Sequence, residues 1–176
     1  MSTPVQLSRV GLDDDGDRAL FLVAADQSDD LPENAMSPDS RFFVSLIAWD
    51  SQTQSTFELA RVARMLLNAG CVYFCCWGPG CERMHDVVDA EYLRAGVSVN
   101  DDESTIMTTW HDSESLDEAA WFALNTANPD DRFFAECKAV VAVCIGNRSW
   151  AKQLATAFAD PRALSSRVVG AGDDVA

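Results

Sequence analysis

The sequence predicts a three-layer α/β/α sandwich around a doubly wound, mostly parallel sheet of four or five strands, and three observations carry that expectation. Short runs such as CVYFCC and AVVAVCI are apolar at every position, the pattern of strands covered on both faces. These runs alternate with amphipathic segments of helical period. The helical segments open on capping-box spellings, Ser55-x-x-Glu58 and Ser115-x-x-Glu118.

Taken in order, residues 1–18 read as an irregular segment ending in an Asp-Gly-Asp cluster. Ala19–Ala25 (ALFLVAA) reads as a short buried strand. Asp26–Ser40 is acidic, broken by proline and without period, so it reads as a loop. Arg41–Ala48 is a strand by length and by β-branched and aromatic content. Behind Ser55, residues Leu59, Ala60, Ala63, Leu66 and Leu67 recur at helical spacing until Gly70. Cys71–Cys76 is a second strand, broken by Gly78-Pro79-Gly80, and a helix is expected from Cys81 to Arg94. An acidic loop over 98–104 leads to a third strand, Thr105–Thr109. The helix capped by Ser115 carries Leu116, Ala120, Ala123, Leu124 and Ala127 on one stripe. Lys138–Ile145 is a further doubly buried strand, and Ser149–Ala159 a further helix. The domain is thus expected over 19–164, with a disordered tail over 165–176, in a Rossmann-like or flavodoxin-like arrangement.

Composition narrows the function classes. With 176 residues, 48% of them hydrophobic, one proper core is expected. No apolar run reaches the ~20 residues of a membrane helix. The opening residues lack the basic-then-apolar pattern of a secretory signal, so a cytoplasmic location with six reduced cysteines is expected. The net charge of −15 is uneven: residues 1–40 hold nine acids and two bases, residues 86–118 ten acids and one base. Such acidity repels phosphate backbones and speaks against nucleic acid or anionic membranes. It serves solubility, or offers an acidic face to a basic protein partner.

In open parallel sheets ligands bind beyond the carboxyl ends of the strands. Three expected strands run into tryptophan there: Trp49-Asp50, Trp77-Gly78-Pro79-Gly80-Cys81 and Trp110-His111-Asp112. A single such tryptophan merely caps a core. Three suggest a shared aromatic rim, and the expected ligand-binding set is Trp49, Asp50, Trp77, Gly78, Cys81, His85, Trp110, His111 and Glu114. On the helical wheel that starts at Cys81, Met84, Val87, Val88, Tyr92 and Ala95 form the expected buried stripe, with Cys81 inside the arc and His85 on its flank. The glycines before Cys81 allow a close backbone approach, but the segment is neither GxGxxG nor a Walker loop. Cys81 reads either as a packed core residue or as a thiol activated by a helix N-terminus. It and His111 are the catalytic candidates, and a Cys81–His111 nucleophile and base pair would make a thiol-dependent enzyme. Cys81, His85, His111 and Asp112 have the side-chain types of a zinc site, but their spacing matches no zinc motif and no metal is expected. His111 is the first choice for function, either as a titrating group facing the crevice or as a residue closing the strand–helix turn.

Two stretches resemble an uncharacterised family of short bacterial proteins: Trp77-Gly78-x-x-Cys81 with Asp86 and Asp89, and Thr108-Thr109-Trp110-His111-x-x-Glu114 with Trp121-Phe122. The resemblance runs from about residue 41 to 145, leaving the first 40 residues and the final helix outside. It implies that Trp77, Cys81, Trp110, His111 and Glu114 belong together, and it implies no activity. The family pattern tends to an acid at the place of His85. The expected function is binding of a small polar ligand at the strand ends. The alternatives are a non-catalytic, immunity- or adaptor-like acidic protein that binds a basic partner, and an enzyme using Cys81.

Overall fold

The computed structural model describes residues 5–32, 36–95 and 105–170. Six strands form one sheet in the order β1-β2-β6-β3-β4-β5. They are β1 (Ser8–Leu12), β2 (Ala19–Ala25), β3 (Phe42–Trp49), β4 (Cys71–Trp77), β5 (Met107–His111) and β6 (Cys137–Ile145). All neighbours run parallel except β1, which pairs antiparallel with β2. The helices are α1 (Thr56–Ala69), α2 (Cys81–Arg94), α3 (Leu116–Asn125), α4 (Asp131–Phe134), α5 (Arg148–Ala159) and α6 (Pro161–Gly170).

The chain steps outward from β3 to β4 to β5, then returns to place β6 on the other side of β3. That reversal puts α1 and α2 on one face and α3, α5 and α6 on the other. The sheet is therefore doubly wound, as the unbroken apolar strands require. Alternation along β4 divides its side chains. Phe74 and Cys76 pack under α1 and α2, whereas Tyr73, Cys75 and Trp77 face the α3 and α5 side. On the first face the segment after β2 contributes Leu31 and Met36 in place of a crossover helix.

Both capping boxes form. Ser55 Oγ accepts from the Glu58 amide while Glu58 accepts from the Ser55 amide, and Ser115 and Glu118 repeat the exchange. Gly70 closes α1 in the left-handed region. The buried stripe of α2 is Cys81, Met84, Val88 and Glu91. Glu91 is tolerated inside because the Arg64 guanidinium of α1 reaches it at 3.0 Å, and Arg94 stands 3.5 Å away.

Four sequence expectations change. The sheet has six strands rather than four or five. Residues 1–18 contain strand β1, whose five mostly exposed residues carry too little apolar pattern to announce an edge strand. The stretch assigned to a tail begins inside α6, which runs to Gly170 and buries Leu164; residues 171–176 lie outside the described residues. Finally, β5 starts and ends two residues later than Thr105–Thr109, so Trp110 and His111 belong to the strand itself. The acidic loop over 98–104 lies outside the described residues.

Candidate functional site

The carboxyl ends of β3 and β4 are locked together by their following loops. The amides of Ser51 and Gln52 both donate to the Pro79 carbonyl, at 2.8 and 3.2 Å. Arg83 of α2 reinforces the junction, donating to the carbonyls of Ser51 and Gln54 at 2.8 and 2.6 Å and to Thr56 Oγ1 at 3.1 Å. This lock explains the two glycines. Gly78 and Gly80 sit at φ +110° and +71°, and a Cβ would come within 2.6 Å of the Trp49 carbonyl and 2.7 Å of the Gln52 amide. Their smallness serves the contact between two loops.

Beyond this junction lies a cleft of about 460 Å³ lined by Trp77, Gly78, Pro79, Gly80, His111, Asp112, Glu114 and Trp150. Four elements converge on it: the end of β4, the loop before α2, the end of β5 with its following turn, and the first turn of α5. Trp77 is held by its Nε1, which donates to the Glu114 carbonyl at 2.8 Å. Trp150 meets Trp77 edge to face, with ring centroids 5.0 Å apart and planes at 81°. Trp150 stands there because Asn147 caps α5, accepting from the amides of Ser149 and Trp150 at 3.0 Å each.

His111 pairs in register with Trp77 across β4 and β5, so both side chains leave the sheet on the same face. Its ring is buried, lies 4.6 Å from the Phe122 ring, and is bonded at both nitrogens. Nδ1 is 3.3 Å from Glu114 Oε1 and Nε2 is 3.1 Å from Thr109 Oγ1. An ionised carboxylate only accepts, so Nδ1 carries a hydrogen in that pair. Thr109, His111 and Glu114 stand in the order of nucleophile, base and orienting acid. Thr109, however, does not line the cleft; its hydroxyl lies under the ring, 3.4 Å from the Phe74 carbonyl. A substrate in the cleft would meet His111 and Glu114, not the threonine.

The rest of the expected rim is dispersed. Trp49 is buried in the core beneath α1 and α2. Asp50 turns back on its own loop, accepting from the Gln52 amide at 3.1 Å. Trp110 leaves the sheet on the α2 face, opposite His111, and packs edge-on against His85 at 4.7 Å. His85 also faces Asp86 and Asp89, at 3.1 and 3.7 Å, and Thr108 donates to Asp89 at 2.8 Å. Trp77 and Trp110 thus flank the same sheet corner from opposite sides, and no single rim contains both. Among the described residues no group of three His, Cys, Asp or Glu side chains is placed to hold a metal ion.

Cys81 is close to His111 but closed off. It is 1% exposed and packs with the α2 face of the core. Burial raises its pKa above the ordinary thiol value; backbone groups of His111, Glu82 and Cys81 itself oppose this, while the Asp112 carboxylate adds to it. The activated thiolate considered from sequence is therefore replaced by a neutral, packed thiol. The other five cysteines are also free and buried. The ligand-binding set expected from sequence lacked Pro79, Gly80, Asp112 and Trp150 of the cleft and Arg83 behind it. Only the position of Trp150, just after the turn that follows β6, hinted that it reaches the strand ends.

A larger depression of about 650 Å³ lies over α1, lined by Met36, Phe57, Arg61, Arg64 and neighbours. Its cations are already engaged, Arg61 with Asp29 at 2.9 Å and Arg64 with Glu91. The strand-end cleft differs in that aromatic and acidic groups converge on it at the carboxyl ends of the strands.

No helix among the described residues is long and apolar enough to cross a membrane. Neither the curated proteins nor the solved structures contain a significant match to the chain. A family match covers residues 20–161, wider than the resemblance at 41–145, and takes in β2 and α5 at the two ends. That family is described as a domain of unknown function, DUF7684, and the chain belongs to it.

Proposed function

We propose that the protein binds a small polar ligand in the cleft lined by Trp77 and Trp150, with Glu114, held by His111, fixing its orientation. The observation that carries this reading is the convergence of Trp77 and Trp150, 5.0 Å apart, on a buried imidazole bonded to an acid. Two aromatic walls and a few fixed polar groups are the usual make-up of a ligand pocket, and about 460 Å³ is within the ordinary size range. The aromatic rings supply contact area, Asp112 and Glu114 offer acceptor oxygens, and His111 holds the Glu114 carboxylate in place. The set of binding residues in this reading is Trp77, Gly78, Pro79, Gly80, His111, Asp112, Glu114 and Trp150.

The test uses the five indole N–H resonances of the ¹⁵N-labelled protein, each assigned by a Trp→Phe variant. Low-molecular-mass extract of the host cells is expected to shift the Trp77 and Trp150 signals and leave those of Trp49 and Trp110 in place. If every extract fraction leaves Trp77 and Trp150 unmoved, or moves only Trp110, the cleft is not a ligand site.

A further inference from the structure

Resting on the cleft as the ligand site, we infer that its ligand is a cation: an ammonium or guanidinium compound that places its charge against the tryptophans and the Asp112 and Glu114 carboxylates. The lining has no lysine or arginine side chain, while two of its eight residues are acids. Asp112 is exposed at the turn after β5 and lines the cleft. Glu114 has one oxygen on His111 and keeps roughly two-fifths of its side chain in solvent. The indoles add to the same preference. Both Trp77 and Trp150 line the cleft, and an indole attracts a cation that lies over its face within about 6 Å.

The opposing feature is the N-terminus of α2, which begins at Cys81 just behind Gly80 and has no side-chain cap. A helix N-terminus favours anions, but it amounts to about +0.5 of a charge. Two full carboxylates outweigh it. The N-termini of α1, α3 and α5, the other helices that start at this end of the sheet, are already occupied by Ser55 with Glu58, by Ser115 with Glu118 and by Asn147. The glycines that would suggest a phosphate cradle are required by the Trp49 and Gln52 backbone, as the 2.6 and 2.7 Å approaches show. The protein's net charge of −15 acts in the same direction at longer range, drawing cations to the surface and repelling phosphates.

The experiment titrates 1,4-diaminobutane, choline and arginine amide, and in parallel inorganic phosphate, acetate and glucose, into the labelled protein at low ionic strength. At least one cation is expected to give a saturable shift of the Trp77 and Trp150 indole signals that weakens as salt is raised. Asp112→Asn, at an exposed position, should weaken that binding by about three- to tenfold, the scale of one partly screened charge pair. Glu114→Gln should do likewise, with a thermal melt showing that each variant is folded. Saturable binding of phosphate, acetate or glucose without cation binding would overturn the cationic class and leave the cleft reading standing. Silence from all three cations overturns the inference, and host extract then decides the cleft reading separately. Cation binding that Asp112→Asn and Glu114→Gln both leave unchanged also overturns it, because the carboxylates would not be the recognising groups.

Discussion

His85 and His111, the chain's two histidines, lie on opposite faces of one sheet corner, and their surroundings differ in kind. His111 is 3% exposed, bonded at both nitrogens and packed on Phe122. His85 lies on the flank of α2, its side chain 14% exposed, between Asp86, Asp89 and the half-exposed Trp110. The first ring is held by partners on β5 and its following turn, at the wall of a cleft. The second belongs to a cluster of side chains from α2 and β5. The difference follows from the two-residue period of a strand. Trp110 and His111 are chain neighbours, so one must face α2 and the other α3. A dense run of chemically interesting residues inside a strand is therefore divided by the fold, whereas the turn after it, Asp112 to Glu114, stays on one side.

The largest expected effect tests whether the two faces are equally sealed beneath these surfaces. Cys71, Cys76 and Cys81 lie on the His85 face, and Cys75, Cys137 and Cys144 on the His111 face. Burial pushes Cys75 up to about 12 and Cys137 and Cys144 up to about 11, from an ordinary 9.0, and lifts Cys71 and Cys76 well above that value. Below pH 9 both folded and unfolded chains keep these protons, so the thiols add no pH dependence. Above it the unfolded chain releases them while the folded chain holds them, and stability falls as pH rises. Each such thiol contributes a slope of about 1.4 kcal/mol per pH unit. Urea midpoints measured at intervals from pH 7 to 10.5 should be level at first and then drop steeply. Cys75→Ala and Cys76→Ala should each make the fall shallower, one for each face. A midpoint unchanged to pH 10.5 would show the thiols to be wetter than their burial implies.

Much of this architecture was legible because its signals are local. The run Ala19–Ala25 is a strand over those same seven residues, and both Ser-x-x-Glu spellings are capping boxes. The end of β5 was not legible, and the two-residue shift mattered more than its size suggests. Read as ending at Thr109, the strand leaves Trp110 and His111 free to share a rim; ending at His111, it sends them to opposite faces. Local spacing also hid Trp150, which reaches Trp77 only because β6 returns beside β3 and delivers α5 over the same face. The glycines of WGPGC illustrate the same limit. Their residue type signals a close backbone approach, but only the fold shows that the approaching group is the loop after β3.

A smaller effect sharpens the comparison of the histidines directly. His111→Ala removes a buried ring, opens space beside Phe122 and deprives Thr109 and Glu114 of a partner. The expected loss is about 2 kcal/mol, combining a cavity with broken buried hydrogen bonds. His85→Ala removes two contacts with exposed carboxylates and one edge-on aromatic contact, and should lose less than about 1 kcal/mol. Denaturant unfolding of the two variants side by side gives the ratio. Equal losses would mean that the two faces of the corner are structured alike, contrary to the contrast in burial.

The smallest expected effect belongs to Trp110→Ser, and its smallness is the point. Trp110 is 44% exposed on the last strand of the sheet, and its one ring contact is His85 at 4.7 Å. Losing that edge-on pair together with a half-buried ring should cost no more than about 1 kcal/mol. The backbone of β5 runs on to His111 regardless of the side chain at 110, so the register between His111 and Trp77 should survive. In the variant, the indole signals of Trp77 and Trp150 should keep their positions, and any ligand that moves them in the parent should move them to the same extent. His111→Gln should behave in the opposite way, leaving the Trp110 signal in place while altering those of Trp77 and Trp150. If Trp110→Ser displaces the cleft resonances or abolishes ligand binding, the two faces are coupled through β5, and the ligand site extends across the sheet edge to include His85.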